Sequence, residues 1–467
     1  MKHKKLQEKL FLHFPFTPTK QQEQLISDLA NYITTLENKS IFLLKGYAGT
    51  GKTTIVASLV KSLPVLGKRS VLLSPTGKAA KVLSNYSKKS ASTIHKKIYW
   101  IRTNKKGNAY ITLKKNTHTN TIFIVDEASM IPASSDKGFG NRSLLDDLIA
   151  YINDGMDCKL FLIGDTAQLP PVHLDISPAL DEEFLQKNYN KSITVKQLTQ
   201  VVRQQQNSEI LKNATALRKQ ITKEDYCFPK FSVNTEVIRL NTGENLQDAL
   251  ESAYSNEGVN ATTVLCRSNK RANLYNQQIR TKIRWQEDEI SAGDLLIVVR
   301  NNYYWMEQEE MPDFIANGDS IEVVKIKERI KRYGFHFAKA TIKLVDGTVN
   351  LRLEVILLLD TLTSNNASLT NEQYCKLYDE ICLDYKGEKE INQKVKDNPF
   401  YNALYVKFAY AITCHKSQGG EWENVFVDLG YFTEEMLDKS YLRWLYTALT
   451  RASKKLYLIN FNDKFFN

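Results

Sequence analysis

Cysteine is scarce in this chain of 467 residues: six occur, at positions 158, 227, 266, 375, 382 and 414. None forms a Cys-x-x-Cys pair and no Cys/His cluster has zinc spacing, which argues against a structural metal. So low a density also argues against a disulfide framework and for a reducing compartment. Long apolar runs are missing as well. Val355-Ile356-Leu357-Leu358-Leu359 is among the longest, far short of the roughly 20 residues a membrane-spanning helix needs. The start, Met1-Lys2-His3-Lys4-Lys5, is basic, but Gln7, Glu8 and Lys9 break any signal-peptide apolar core. No short repeat or low-complexity tract occurs. A soluble, cytoplasmic protein is expected, with no membrane partner.

What the chain does have is size and a basic balance. Its 467 residues suggest two to four domains. Hydrophobic residues make up 42% and charged residues 25%, an ordinary profile for a globular protein. Lys and Arg number 63 against 52 Asp and Glu, a formal net charge of +11. That excess favours a polyanionic partner, nucleic acid ahead of an anionic membrane, although charge alone fits a merely soluble basic surface as well.

Short apolar runs alternate with helical stretches in the first part. Residues 40–44, 71–74, 121–125 and 159–163 read as strands buried on both faces. Such runs between helices predict a parallel sheet in an α/β layer fold, with ligands at the carboxyl ends of the strands. The polar residues that end the runs are Lys45-Gly46, Ser74-Pro75-Thr76, Asp126-Glu127 and Gly164-Asp165, which should converge on one crevice. Residues 99–103 and 109–113 flank a turn-forming segment, 104–108, and predict an inserted β-hairpin. Residues 262–266, 425–428 and 455–459 predict a second α/β domain. Within it, 340–345 and 348–353 alternate with period two around the turn Asp346-Gly347, heading a β-rich insertion and a polar helical stretch. The expected division is 1–97 with 121–185, a hairpin at 98–120, a second domain at 186–330 with 402–467, and an insertion at 331–401.

The strongest local signal is Gly46-Tyr47-Ala48-Gly49-Thr50-Gly51-Lys52-Thr53, a full match to G-x-x-x-x-G-K-[ST] between a strand and a helix. Glycines let backbone N–H groups close around a polyphosphate, and the helix N-terminus adds positive charge. The candidate nucleotide contacts are Gly46, Ala48, Gly49, Thr50, Gly51, Lys52, Thr53 and Thr54, with Lys52 on the terminal phosphates and the Thr53 hydroxyl on Mg²⁺. The flanking strand and helix disfavour a coincidental glycine-rich turn, so ATP binding and hydrolysis are expected. Asp126 suits the Mg²⁺ shell and Glu127 suits activation of water. Two acids after a strand are by themselves more often a solvated turn; after a phosphate loop the catalytic reading prevails. Gln168, in the segment 164–172, is neutral and bifunctional in hydrogen bonding, suited to sensing a γ-phosphate; a proline-stiffened loop is the alternative. Arg203 and Arg451 could stabilise a phosphoryl transition state, though a lone arginine is more often a surface ion pair.

Taken in order, the phosphate loop, VDEAS at 125–129, GDTAQLPPV at 164–172, VVRQ at 201–204, ITCHKSQGGEWENV at 412–425 and YTALTRA at 446–452 form a series. The series resembles the motifs of the superfamily 1 helicases, most closely the RecD-like and Dda-like branch, superfamily 1B. It spans the chain from about residue 17 to 458, and only 331–401 has no matching motif. The resemblance implies two RecA-like domains with ATP and Mg²⁺ in the cleft between them. It assigns Lys52 and Thr53 to phosphate and Mg²⁺, Asp126 and Glu127 to metal and water, and Gln168 to the γ-phosphate. Arg203 and Arg451 become arginine fingers from the second domain. Gln22 falls where the family reads adenine, with Gln21 as a rival, and Glu421, beside Gly420, falls where it meets ribose.

The same resemblance implies single-strand contacts. Pro75, Thr76 and Lys78 lie in a segment of hydroxyls, a permissive glycine and a lysine at a helix start, which suits phosphate oxygens. Thr93 and His95 resemble a further backbone contact, a core histidine being the alternative for His95. Thr413, His415, Lys416 and Ser417 would grip the strand from the second domain, with no partner ligands near His415 to make it a metal site. The hairpin falls where this branch carries a wedge, and Trp100, Tyr99 and Tyr110 are candidates to stack on a base, or else pack across strands. In relatives the β-rich insertion is a small barrel that helps clamp the strand. The reading is an ATP-dependent DNA helicase moving 5′→3′ on single-stranded DNA and acting at duplex junctions as a monomer. Its direction rests on the resemblance alone. A translocase that separates strands poorly, an RNA helicase, and a P-loop ATPase or kinase indifferent to nucleic acid are the rivals.

Overall fold

The computed structural model describes residues 2–35, 40–103, 109–132, 142–172, 174–202, 208–308, 314–345, 351–366 and 368–466. Arg203 and the two turns at 104–108 and 346–350 lie outside the described residues, as do the side chain of Tyr110 and its neighbours in the hairpin.

Among the described residues of the first part lie eight strands: β1 (Ser40–Gly46), β2 (Arg69–Ser74), β3 (Ala91–Thr93), β4 (Tyr99–Thr103), β5 (Ala109–Leu113), β6 (Thr121–Val125), β7 (Lys159–Gly164) and β8 (Ser192–Leu198). Six of them form one parallel sheet in the order β3-β2-β6-β7-β1-β8. The central β6 and β7 are buried at every residue, as their unbroken apolar runs require. One face packs on Leu25, Leu29, Ile55 and Leu59, the other on Ile94, Leu148 and Ile152. β4 and β5 pair antiparallel as the inserted hairpin, with Tyr99 opposite Leu113 and Trp100 opposite Thr112.

The second part holds β9 (Val237–Leu240), β10 (Thr262–Cys266), β11 (Leu295–Val298), β12 (Ser320–Arg332), β13 (Phe335–Leu344), β14 (Arg352–Leu358), β15 (Leu404–Phe408), β16 (Ala411–Thr413), β17 (Trp422–Asp428) and β18 (Ala452–Ile459). A second parallel sheet runs β16-β10-β17-β18-β9. The strands β11 to β15 close a barrel, antiparallel except where β14 meets β15. The expected architecture, two parallel-sheet RecA-like units with a hairpin in the first and a barrel in the second, is present.

Two expected boundaries need correction. The break at 185/186 precedes β8, yet β8 pairs along β1 from Ser40↔Ser192 to Gly46↔Leu198 and so completes the first sheet. As an edge strand it is mostly half-exposed, and its mixed residues carry no buried-run signal. The barrel begins at β11 and ends at β15, wider than 331–401 on both sides. The short β11 closes the barrel against Val406 to Phe408, more than 100 positions away, a pairing no local pattern encodes.

Candidate active site

The loop after β1 turns through Gly49 and Gly51, both at positive φ, into the helix Lys52–Ser62. A Cβ on Gly51 would lie 2.6 Å from Gln22 Nε2, so the position needs glycine for both reasons. Lys52 Nζ donates to the carbonyls of Gly46 (2.7 Å) and Tyr47 (2.9 Å), which holds the ammonium over the loop. A cavity of about 790 Å³ runs along it, lined by Phe16, Gln22, residues 49–54 and residues 200–202. That volume is within the range of pockets for a nucleotide-sized ligand.

Gln22 is buried at the third position of a capping box: Thr19 Oγ1 accepts from its N–H, and its Oε1 accepts from Thr19 N–H. Its Nε2 donates to Thr50 O at 3.0 Å, so it is built into the loop wall. Gln21 is used elsewhere: its Oε1 accepts from the N–H groups of Thr199 and Gln200, just past β8. Only Gln22 of the two lines the cavity.

Asp126 and Glu127 follow β6 at its carboxyl end. Glu127 sits at φ 53, a left-handed conformation, and its N–H donates to Asp126 Oδ1 at 2.9 Å. Burial pushes the Asp126 carboxyl up, opposed by the Lys52 charge and the Glu127 N–H. Burial also pushes Glu127 up; Arg451 is the leading charge that holds it down, while Asp126 and Asp165 push it further. Arg451 follows the helix Lys439–Leu449 of the second unit and is 6% exposed. It donates to Thr447 O (3.1 Å), Gly420 O (3.2 Å) and Thr450 Oγ1 (3.3 Å). Gln168 is buried and, among the described residues, its Oε1 has no hydrogen-bond partner. Thr53 and Asp126 are an oxygen donor set that suits Mg²⁺.

The second unit reaches into the first at points the sequence did not single out. Tyr446 hydroxyl accepts from Ala48 N–H (2.9 Å) and donates to Asp165 Oδ2 (2.8 Å). Ala48, expected to face phosphate, therefore has its amide engaged by a tyrosine. Thr447 Oγ1 accepts from Leu169 N–H (2.9 Å), and Gln418 Nε2 donates to Leu169 O (2.7 Å). Glu421 is exposed and accepts from Tyr86 hydroxyl at 3.2 Å. Tyr446, Thr447 and Gln418 lie inside motif segments; Tyr86 carried no sequence signal.

The strand-contact candidates separate into two kinds. Thr76 caps the helix Gly77–Ser87 by accepting from Ala79 N–H, and Lys78 Nζ lies 4.7 Å from the Trp422 ring centre. Gly419, at φ 73, leaves no space for a Cβ beside Ala79, so the second unit's turn packs directly on that helix start. Thr93 caps the helix Ile94–Ile98 through Lys96 N–H and is buried, while the His95 ring lies 5.7 Å from that of Tyr99. Ser417 is fully buried and donates to Cys414 O at 2.8 Å; it shapes the turn and does not face outward. Pro75 and Lys416 are half-exposed, Thr413 precedes a short helix without a side-chain cap bond, and His415 is exposed. Trp100 is 48% exposed, with Lys114 Nζ 4.5 Å from its ring centre.

An AAA domain model matches residues 19–227 and a UvrD-like helicase C-terminal domain model matches residues 408–459. The chain is 24% identical to the ATP-dependent RecD2 DNA helicase of Deinococcus radiodurans, over 94% of this chain and 50% of that protein. It is 25% identical to the ATP-dependent DNA helicase Pif1 of Campylobacter jejuni, over 91% of each. A crystal structure of Pif1 helicase from Bacteroides in complex with ADP-AlF3 and ssDNA aligns with a TM-score of 0.48 at 15% identity, over 97% of this chain and 95% of that one. The chain spans half or less of some relatives' length: 50% of RecD2 and 38% of an uncharacterized protein of Methanocaldococcus jannaschii. Two family matches in chain order, together with these relatives, bear out the resemblance to helicase superfamily 1B, the branch of the RecD-like and Dda-like proteins.

Proposed function

We propose that the chain is an ATP-dependent DNA helicase that moves 5′→3′ on single-stranded DNA and opens duplex at a junction. The observation that carries the ATP half is the phosphate loop with Lys52 Nζ held over the Gly46 and Tyr47 carbonyls beside a cavity of about 790 Å³, touched from the second unit by Tyr446 at Ala48 and Asp165. A phosphoryl-transfer site divided between two units couples turnover to their approach and separation. In this reading Lys52 draws charge from the terminal phosphates, Glu127 takes the proton of the attacking water, and Arg451 stabilises the charge that develops. Gln168, whose buried carbonyl oxygen has no partner among the described residues, senses the γ-phosphate. Thr53 and Asp126 would hold Mg²⁺, whose chemistry is to neutralise phosphate charge. Gln22 and Glu421 flank the base and ribose.

The DNA half is supported by the relatives' activity, the net charge of +11 and the exposed Trp100 on its hairpin. Alternating grip by residues 75–78 and 93–95 on one unit and 413–416 on the other would turn each ATP cycle into a step. The 5′→3′ direction follows the family branch. Duplexes with only a 5′ or only a 3′ tail, in matched DNA and RNA, test all of it: ATP-dependent opening of the 5′-tailed DNA is expected. Opening confined to the 3′-tailed duplex reverses the direction, and strand-stimulated ATPase without opening points to a translocase.

A further inference from the structure

We propose that Tyr446 is a positioning residue for ATP turnover: its hydroxyl, held by Asp165, fixes the phosphate loop at Ala48 and so sets Arg451 against Glu127. This rests on the proposed ATPase site and adds a residue to it.

The geometry is a continuous series of contacts across the cleft. Asp165, at the carboxyl end of β7, is 1% exposed and its Oδ1 accepts from Ala167 N–H at 2.9 Å. Its Oδ2 accepts from Tyr446 hydroxyl at 2.8 Å, and that same hydroxyl accepts from Ala48 N–H at 2.9 Å. Burial, reinforced by the Asp165 charge, holds the phenol well above its ordinary range, so it keeps its proton and donates at neutral pH. The next residue, Thr447, accepts from Leu169 N–H through its hydroxyl and from Arg451 Nε through its carbonyl. One turn of helix thus touches the phosphate loop, the segment after β7 and the arginine.

A neutral hydroxyl in this place adds no charge to the site. It can act only by alignment, because its two partners come from the first unit and its helix carries the second unit's arginine. Buried hydrogen bonds of this kind are costly to leave half-made, so the bridge favours one relative placement of loop and helix. An effect on alignment belongs to the transition state more than to nucleotide binding, because Gly49, Gly51 and the residues after them still face the cavity when the hydroxyl is gone.

Tyr446→Phe in the full chain removes only the oxygen. Phosphate release, mant-ADP affinity and the thermal midpoint are then compared with the parent protein. A fall in kcat of about tenfold is expected, with mant-ADP affinity within about threefold. In an Arg451→Lys background, Tyr446→Phe should lower kcat by less than about twofold further, because both changes disturb one alignment. A kcat within twofold of the parent overturns the proposal. So does a full tenfold loss repeated in the Arg451→Lys background, or a loss of mant-ADP affinity equal to the loss of turnover. If Tyr446→Phe shows no folded thermal transition, Tyr446→Met, which keeps an apolar side chain without the hydroxyl and leaves the Asp165 charge in place, is read by the same criteria. Turnover that is indifferent to added single strands would count against the helicase reading but leaves the Tyr446 comparison intact, since that is read on ATP hydrolysis alone.

Discussion

In the cleft, Asp165 and Tyr446 are 1% exposed and Gln168 and Arg451 are 6% exposed, and the side chains of three of these four sit in hydrogen bonds of 2.8 to 3.3 Å. Outside the cleft, Trp100 is 48% exposed and His415 is open to solvent. The two regions share motif residues but differ in medium. In the buried cleft each charge acts at low dielectric and an unpaired group is costly, so single substitutions should have large effects that do not add. On the open face contacts are screened and numerous, so single substitutions should have small effects that depend on salt.

The largest expected effect is at Lys52. Lys52→Ala should reduce phosphate release by more than about 10³-fold, because no other cation is placed over the loop carbonyls of Gly46 and Tyr47 among the described residues. Glu127→Gln should come next, lowering kcat by about 10²-fold or more while mant-ATP affinity stays within about threefold. Near-normal turnover in Glu127→Gln would remove it as the base. Arg451→Ala should lower kcat by about 10²-fold and affinity much less.

The pH profile tests the same buried pair. Glu127 must be ionised to take a proton, and burial raises its folded pKa. Hydrolysis is therefore lost as pH falls, along an acid limb that lies above the ordinary glutamate range. Arg451 is the leading charge holding Glu127 down, so Arg451→Gln should move that limb of the kcat/KM profile higher still. A limb that stays in place shows the two charges are not coupled.

Effects on the open face should be smaller. Trp100→Ala should slow opening of a 5′-tailed duplex by roughly tenfold, while strand-stimulated ATPase stays within about twofold. Equal loss of both would make Trp100 part of the hairpin's packing and not a wedge. Lys416→Ala should weaken single-strand binding slightly and lower the slope of log K against log salt by about one.

The cleft was the more legible region for one half only. Gly51, Lys52, Asp126 and Glu127 announce themselves because a loop, a strand end and a helix start lie within a few positions of the residues that act. Arg451 was found through its motif, but that its charge bears on Glu127 follows from a fold that joins positions more than 300 residues apart. Gln21 and Gln22 could not be separated by sequence; the capping box turns one into the loop wall and the other toward the end of β8. Ser417 and Thr93 read as strand contacts through the resemblance alone, yet both are buried, and their hydroxyls close local turns.

By itself the sequence determined the buried strands β1, β2, β6, β7, β10, β17 and β18, the phosphate loop and the order of the motifs. Each of these is set by neighbours in the chain: apolar runs, glycines at positive φ, hydroxyls one turn before a helix. Tertiary structure alone decided that β8 closes the first sheet, that β11 and β15 close the barrel, and that Tyr446 meets Ala48 and Asp165. Those outcomes depend on which distant surfaces fit together and on which polar groups are left needing a partner once they do.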